Sequence, residues 1–216
     1  MKKIAVILAG CGVYDGAEIN EAVLTLLHIA KAGASYQCFA PDIEQMHTIN
    51  HLSGEPMSQN RNVLVEAARI ARGDIKPLTD LDATHFDALI LPGGFGAAKN
   101  LSDFAVKGTQ AQLQPDIKTA CQQFATMAKP AGYMCIAPAM IPLIYNAGAK
   151  VTIGDDPETA SAINMLGAEH VNCAVDDIVI DEQHKLVSTP AYMLAESILE
   201  ADAGIEKLVK AIIKMC

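Results

Sequence analysis

Apolar runs alternate with segments of helical periodicity along the whole chain. Residues 4–9 are continuously apolar, a pattern typical of a central strand that is covered on both faces. Comparable runs predict strands over residues 34–40 and 86–91, in the stretch that ends at Cys135, and over 150–153. Strands that alternate with helices predict an α/β fold with a doubly wound, mainly parallel sheet.

The first helix is predicted to begin after Asp15 and to run to about residue 32. Ile19 and Val23 belong to an apolar set at helical spacing, and Asp15 with Glu18 forms a capping-box-like pattern ahead of it. Further helices are predicted over 61–71, 97–105, 116–128, 136–146, 157–166 (with Asp156 as its cap), 191–201 and 204–214.

Two segments depart from the simple alternation. Residues 42–82 are less regular and more polar, and they predict an ordered insertion that carries the helix at 61–71. Residues 178–181 and 186–189 flank a polar turn, which predicts a β-hairpin added to the parallel sheet. The chain of 216 residues contains no linker, so we expect a single domain over 1–216.

The charge balance narrows the class of partner. A net charge of −9 disfavours a nucleic-acid groove or an anionic membrane surface. No apolar run is long enough to span a bilayer. The six cysteines are scattered without a C-x-x-C pair, which predicts reduced thiols in a cytoplasmic setting. The residues before Cys11 are similar to a lipoprotein signal, but the apolar stretch is too short for a signal core.

Cys135 is the leading candidate for chemistry. It lies where an apolar run meets a predicted helix, so its sulfur is expected at the carboxyl edge of the sheet, where α/β folds bind ligands. A helix N-terminus at this position would favour the thiolate and so a nucleophile. The alternative is a small buried apolar residue, which is the usual role of a free cysteine.

Three loops should converge beside Cys135 at this edge. The glycines at 93 and 94 allow a close backbone approach, and the N–H groups of Gly94 and Ile136 could hold an oxyanion. The alternative for Gly93 and Gly94 is a sharp turn without chemistry. Cys11 also follows a strand, so it is a candidate for lining the same pocket or for a redox role.

The predicted first helix offers two carboxyl groups. Glu18 fits the cap, which leaves Glu21 to face Cys135 as a general base. A partly buried carboxylate beside a thiol would have a raised pKa, which suits proton transfer near neutrality. The alternative is a solvated helix face.

The remaining polar motifs predict little chemistry. The six histidines show no metal-ligand spacing, and we expect structural or surface roles for them, with His51 the best remaining site candidate. Arg61, Arg69 and Arg72 predict a solvated helix face. Gly10-x-Gly12 lacks the rest of a dinucleotide fingerprint. The sequence therefore predicts neither a metal nor a cofactor.

Together these residues resemble a known family. Leu-Pro-Gly-Gly at 91–94, the acidic first helix at 17–21 and the strand–Cys135–helix turn resemble the ThiJ/PfpI superfamily, whose fold is flavodoxin-like and class I glutamine amidotransferase-like. The segments 10–16, 60–70, 92–101, 134–140 and 189–193 are similar to its ElbB branch, the isoprenoid-biosynthesis, glyoxalase-like proteins.

The resemblance implies a cofactor-independent glyoxalase that converts glyoxal, and methylglyoxal less well, to a 2-hydroxy acid. Cys135 would add to the aldehyde, Glu21 would move protons, and the N–H groups of Gly94 and Ile136 would hold the oxyanion. The resemblance also implies a homodimer. Ile136 replaces the histidine of superfamily proteases, and no His-x-Glu of an amidotransferase follows, so neither activity is expected. Many superfamily glyoxalases carry a histidine after the strand at 150–153, where this chain has Gly154-Asp155, so weak turnover is expected.

Two other functions stay open on the sequence. One is a redox sensor or regulatory binding protein linked to isoprenoid metabolism, in which Cys135 is oxidised to a sulfinate beside Glu21. The other is a structural partner protein with a vestigial pocket.

Overall fold

The structure, a computed structural model, describes all residues from 1 to 216. The strands are β1 (Lys3–Ile7), β2 (Ser35–Ala40), β3 (Ile75–Pro77), β4 (Ala88–Leu91), β5 (Ala131–Met134), β6 (Lys150–Val151), β7 (Glu169–His170), β8 (Val179–Asp181) and β9 (Leu186–Thr189). The α-helices are α1 (Ile19–Lys31), α2 (Val63–Ile70), α3 (Phe104–Lys107), α4 (Pro115–Thr126), α5 (Pro157–Met165) and α6 (Ile198–Met215).

Seven strands form one sheet in the order β3-β2-β1-β4-β5-β9-β8. All neighbours in it are parallel except β8 and β9, which are antiparallel. This confirms the predicted flavodoxin-like, doubly wound fold and the predicted hairpin. The strands β6 and β7 form a separate two-stranded ladder, of which β7 was not predicted.

The continuous apolar runs form the centre of the core. Residues 4–8 of the β1 region and all of β4 are fully buried, as expected for strands that helices cover on both faces. The N-terminal apolar stretch is therefore a central strand of this sheet. No helix in the structure combines the length and the apolar character needed to cross a membrane.

The insertion at 42–82 is ordered, and it contains α2 and the edge strand β3. Asn62 caps α2, because its side chain accepts a hydrogen bond from the Val65 N–H at 3.0 Å. The strand β3 was not predicted, since it is only three residues long and ends in Pro77. It lies at the edge of the sheet, where a proline is tolerated.

The start of α1 differs from the predicted capping box. Glu18 is the N-cap, and its Oε2 accepts a hydrogen bond from the Glu21 N–H at 2.6 Å. Asp15 is instead buried and accepts a hydrogen bond from the Ile49 N–H at 2.7 Å. Asp15 therefore ties the loop after β1 to the insertion. The spacing of Asp15 and Glu18 matches a capping box, but Asp15 makes this long-range contact instead.

The predicted pair of closing helices is wrong. A short 3-10 turn, Ala191–Met193, is followed by the single helix α6. Gly204, which was expected to separate the two helices, lies inside α6. Its lack of a side chain has a packing reason, since a Cβ there would stand 2.6 Å from the Thr189 Oγ1 and 2.7 Å from the Val175 carbonyl. The glycine permits close helix-to-strand packing.

The predicted helix over 136–146 is likewise only a 3-10 helix, Ala137–Leu143.

Candidate active site

Cys135 forms a sharp turn directly after β5. Its φ of +58° lies in the left-handed region, which residues other than glycine seldom adopt, and such strain is common at functional sites. Its N–H donates to the Thr189 carbonyl at 3.1 Å, which pins the turn to the end of β9. The residue is only 6% exposed, so Cys135 is buried.

The loop after β4 packs directly against this cysteine. A Cβ on Gly93 would lie 2.4 Å from the Cys135 Cβ, so this position accommodates only glycine. The Gly93 carbonyl accepts a hydrogen bond from the Glu18 N–H at 3.0 Å, which orients the following peptide. The N–H groups of Gly94 and Ile136 lower the pKa of the Cys135 thiol. These are the two predicted oxyanion donors.

Glu21 is fully buried and joins the same cluster. Its Oε2 accepts from the Gly93 N–H at 2.8 Å and its Oε1 from the Tyr192 N–H at 3.1 Å. Burial, and after it the charge of Glu18, raises the pKa of Glu21 from 4.5 to about 7, although the two N–H groups and the Cys135 side chain oppose the shift. The structure thus brings the predicted base and nucleophile together.

The expectation of a helix-stabilised thiolate is wrong. Burial, followed by the negative charge of Glu21, raises the pKa of Cys135 well above its ordinary value. The Gly94 and Ile136 N–H groups lower that pKa, but they do not outweigh burial. The element that follows is a short 3-10 helix containing Pro138 and Pro142 rather than a long α-helix, so its dipole is weak. The resting group is a thiol.

Glu18 supports the site rather than facing the sulfur. Its carboxylate caps α1 and its N–H holds the Gly93 carbonyl. It is half-buried, and burial raises its pKa. Its negative charge is the second cause of the raised pKa of Glu21. Its contribution to the site is therefore electrostatic and structural.

Cys11 lies among residues of the insertion. Its thiol is half-buried, and burial, followed by the charge of Glu66, raises its pKa. Glu66 is buried and forms ion pairs with Arg69 at 3.0 Å and with Arg61 at 3.6 Å. The predicted solvated face is confirmed for Arg69 and Arg72, which are exposed, while Arg61 is half-buried. No hydrogen bond joins the Cys11 side chain to Glu21 or Cys135, and its predicted role in lining the same pocket stays a prediction.

The turn after β9 contributes two contacts that the sequence did not predict. The Tyr192 N–H binds Glu21, and the Thr189 carbonyl binds Cys135. The Asn20 side chain also donates to the Tyr192 hydroxyl at 3.1 Å. The Thr-Pro-Ala-Tyr-Met motif at 189–193 was the available signal, but no chemical property of its side chains indicated that its backbone matters.

The histidines hold other positions. His28 lies 2.6 Å from Asp202 and bridges α1 to α6, and His184 pairs with Asp181 at 2.8 Å. His51, in the insertion, accepts a hydrogen bond from the Tyr14 N–H at 3.2 Å, which ties it to the loop after β1. No histidine contributes to the pKa of Cys135. The site is therefore a cysteine–carboxyl pair.

Comparison with known proteins places this arrangement in a family. No family model matches the chain. The rat protein "ES1 protein homolog, mitochondrial" is 42% identical over 223 residues, covering 99% of this chain and 84% of the rat protein. The human "glutamine amidotransferase-like class 1 domain-containing protein 3, mitochondrial" is also 42% identical, covering 99% of this chain and 83% of its own length. This chain belongs to the ES1 family.

Solved structures share the fold of this chain. A crystal structure from Ehrlichia chaffeensis, described as an isoprenoid biosynthesis protein with an amidotransferase-like domain, superposes with a TM-score of 0.94 at 36% identity, covering 100% of this chain and 99% of that one. Drosophila melanogaster DJ-1beta shares the fold alone, with a TM-score of 0.54 at 15% identity, covering 99% of this chain and 95% of that one. The cytoplasmic location expected for this ES1-family chain stays a prediction.

Proposed function

We propose that this ES1-family protein is a cofactor-independent glyoxalase of the ElbB type, which converts glyoxal and water to glycolate. The observation that carries the proposal is the buried pair of Glu21 and Cys135, with the N–H groups of Gly94 and Ile136 at the same sulfur. A carboxyl group with a pKa of about 7 can both accept and donate a proton near neutral pH.

The first step is addition of Cys135 to one aldehyde carbon. The sulfur–carbon bond forms while the thiol proton passes to the Glu21 carboxylate. The aldehyde oxygen becomes an oxyanion beside the N–H groups of Gly94 and Ile136, and Glu21 then returns the proton to give a neutral hemithioacetal. Since the sulfur starts as a thiol, attack depends on Glu21 being ionised.

The second step moves hydrogen between the two substrate carbons. Glu21 removes the proton from the sulfur-bearing carbon, and the electron pair moves toward the neighbouring carbonyl to give an enediolate. Glu21 then protonates the neighbouring carbon, and the hydroxyl proton of the sulfur-bearing carbon passes to the enediolate oxygen, which leaves a hydroxyacetyl thioester on Cys135. One substrate carbon is oxidised and the other is reduced, so no external redox partner is needed.

Hydrolysis completes the cycle. Water adds to the thioester carbonyl, the carbon–sulfur bond breaks, and glycolate leaves while the Cys135 thiol re-forms. We expect slow turnover, because burial and the Glu21 charge disfavour the thiolate and no histidine assists it.

The test is glycolate formation from glyoxal without glutathione or added metal. Cys135→Ala and Glu21→Gln should each lose the activity, by about a hundredfold or more for removal of the proton-transfer group. Cys173→Ala is the matched control, because this half-buried cysteine lies outside the pair and should leave the rate unchanged. Equal rates for wild type and Cys135→Ala would refute the proposal.

The redox-sensor alternative makes a separate prediction. Peroxide reacts with thiolates, and the raised pKa of Cys135 supports slow oxidation rather than sensing. Stoichiometric sulfinate at Cys135 after mild peroxide, in a protein that makes no glycolate, would favour the sensor.

A further inference from the structure

The turn after β9 contacts both members of the reactive pair. Cys135 donates its N–H to the Thr189 carbonyl at 3.1 Å, and the Tyr192 N–H donates to the Glu21 Oε1 at 3.1 Å. Thr189, which binds the nucleophile, and Tyr192, which binds the base, are therefore only three positions apart in the chain. A displacement of this turn would move one contact relative to the other.

The backbone of this turn is strained. Ala191 is buried and has a φ of +45°, in the left-handed region that an alanine seldom adopts. Such a conformation persists only when surrounding contacts hold it. It is also the conformation that directs the next N–H, that of Tyr192, at Glu21.

The side chain of Tyr192 supplies such a contact. Its hydroxyl accepts a hydrogen bond from the Asn20 Nδ2 at 3.1 Å, and Asn20 immediately precedes Glu21 in α1. Tyr192 is thus attached to two consecutive residues of α1, through its phenol and through its backbone. The Asn20–Tyr192 bond spans 172 positions of sequence.

We propose that Tyr192 is a positioning residue whose hydroxyl, held by Asn20, keeps its own N–H on Glu21 and so orients this carboxyl for proton exchange with Cys135. The inference rests on the proposed function for its catalytic meaning, but the geometry makes a prediction about thiol reactivity that does not require turnover.

Loss of the Asn20–Tyr192 hydrogen bond should raise the pKa of Glu21. The Tyr192 N–H lowers the pKa of Glu21, so a weakened bond lets that pKa rise above about 7. Glu21 then keeps its proton to higher pH. Because its negative charge raises the pKa of Cys135, a Glu21 that stays neutral leaves more Cys135 thiolate at that pH.

The experiment is the pH dependence of Cys135 alkylation by iodoacetamide, followed by mass spectrometry of the intact folded protein. In Tyr192→Phe the rate should match wild type below the Glu21 inflection. Above it the rate should be about three to ten times faster, as expected when one hydrogen bond to a charged group is weakened rather than lost. The inflection should move to higher pH.

Asn20→Ala breaks the same bond from the other side and should reproduce this profile. The double variant should add nothing further, since both changes remove one interaction. Tyr36→Phe is the matched control, because Tyr36 is exposed on β2 and its hydroxyl makes no hydrogen bond within the chain.

Two results would overturn the inference. One is a Tyr192→Phe profile identical to wild type, and the other is acceleration by the same factor at every pH, which indicates general loosening. Glycolate formation is measured in parallel. A wild type that makes no glycolate refutes the proposed function, while the alkylation profiles still decide the role of Tyr192.

Discussion

The Gly93 N–H donates a hydrogen bond to the Glu21 Oε2 at 2.8 Å. This contact joins the loop after β4 to the first turn of α1. The Gly93 carbonyl makes a second contact there, since it accepts a hydrogen bond from the Glu18 N–H. Both polar groups of one glycine are therefore bound by α1. The following N–H, that of Gly94, lowers the pKa of the Cys135 thiol. The position of the base and the orientation of the oxyanion donor are consequently set together.

The buried Glu21 should make stability depend on pH. Its pKa of about 7 in the folded protein exceeds its ordinary value of 4.5, so its contribution is fully present below about pH 4.5 and is lost as the pH rises through about 7. The loss should be about 3 kcal/mol in the free energy of unfolding. Urea titrations at several pH values between 4 and 8, at about one-unit spacing, measure it.

Glu21→Gln should remove this pH slope. Gln has one side-chain acceptor for two N–H donors, so the slope rather than the absolute stability is the readout. Glu55→Gln, at an exposed position of the insertion, is the control and should keep the wild-type slope. An unchanged slope in Glu21→Gln would show that this carboxyl titrates normally.

Glu18→Gln should shift the pH dependence of catalysis. The amide oxygen can still accept from the Glu21 N–H, so the cap of α1 is retained while the charge is lost. Because the Glu18 charge raises the pKa of Glu21, its removal should lower that pKa. The rise of kcat/KM for glyoxal with pH should then occur at lower pH. A shift to higher pH would contradict the electrostatic role of Glu18.

Gly204→Ala should destabilise the protein, against the usual effect of this change in a helix. Alanine is favoured over glycine in a helix by about 1 kcal/mol. Here the added Cβ would meet the Thr189 Oγ1 and the Val175 carbonyl, so we expect a loss of about 1–3 kcal/mol. Urea unfolding measures it. A stabilised variant would show that α6 can move away from β9 at little cost.

A homodimer is expected through the exposed face of α1. Ile19, Val23 and Leu27 recur every four positions and are 43–48% exposed, which forms an apolar stripe on a surface helix. A buried charge in such an interface is strongly unfavourable, so Val23→Asp should shift the protein to a monomer in light scattering at micromolar concentration. Val65→Asp, on the exposed face of α2, is the control. A wild-type monomer would refute the expectation.

Much of the fold could be predicted because its signals are local. The apolar run at 4–9 is explained by the burial of a central strand alone. Glu18 and Asp156 cap their helices by accepting hydrogen bonds from the N–H groups three positions later. The failures lie where a distant contact overrides a local preference. Asp15 binds the insertion instead of capping α1, and Gly204 makes room for Thr189 instead of ending a helix.

The sequence by itself determined the main parallel strands, the added hairpin, the turn at Cys135 and the acidic start of α1. Only the tertiary structure decided that Cys135 rests as a thiol, that Glu21 titrates near 7 and that Tyr192 holds it from 171 positions away. The physical reason is that periodicity and capping act between neighbours in the chain. A pKa depends instead on burial and on the few N–H groups and charges that folding brings within reach.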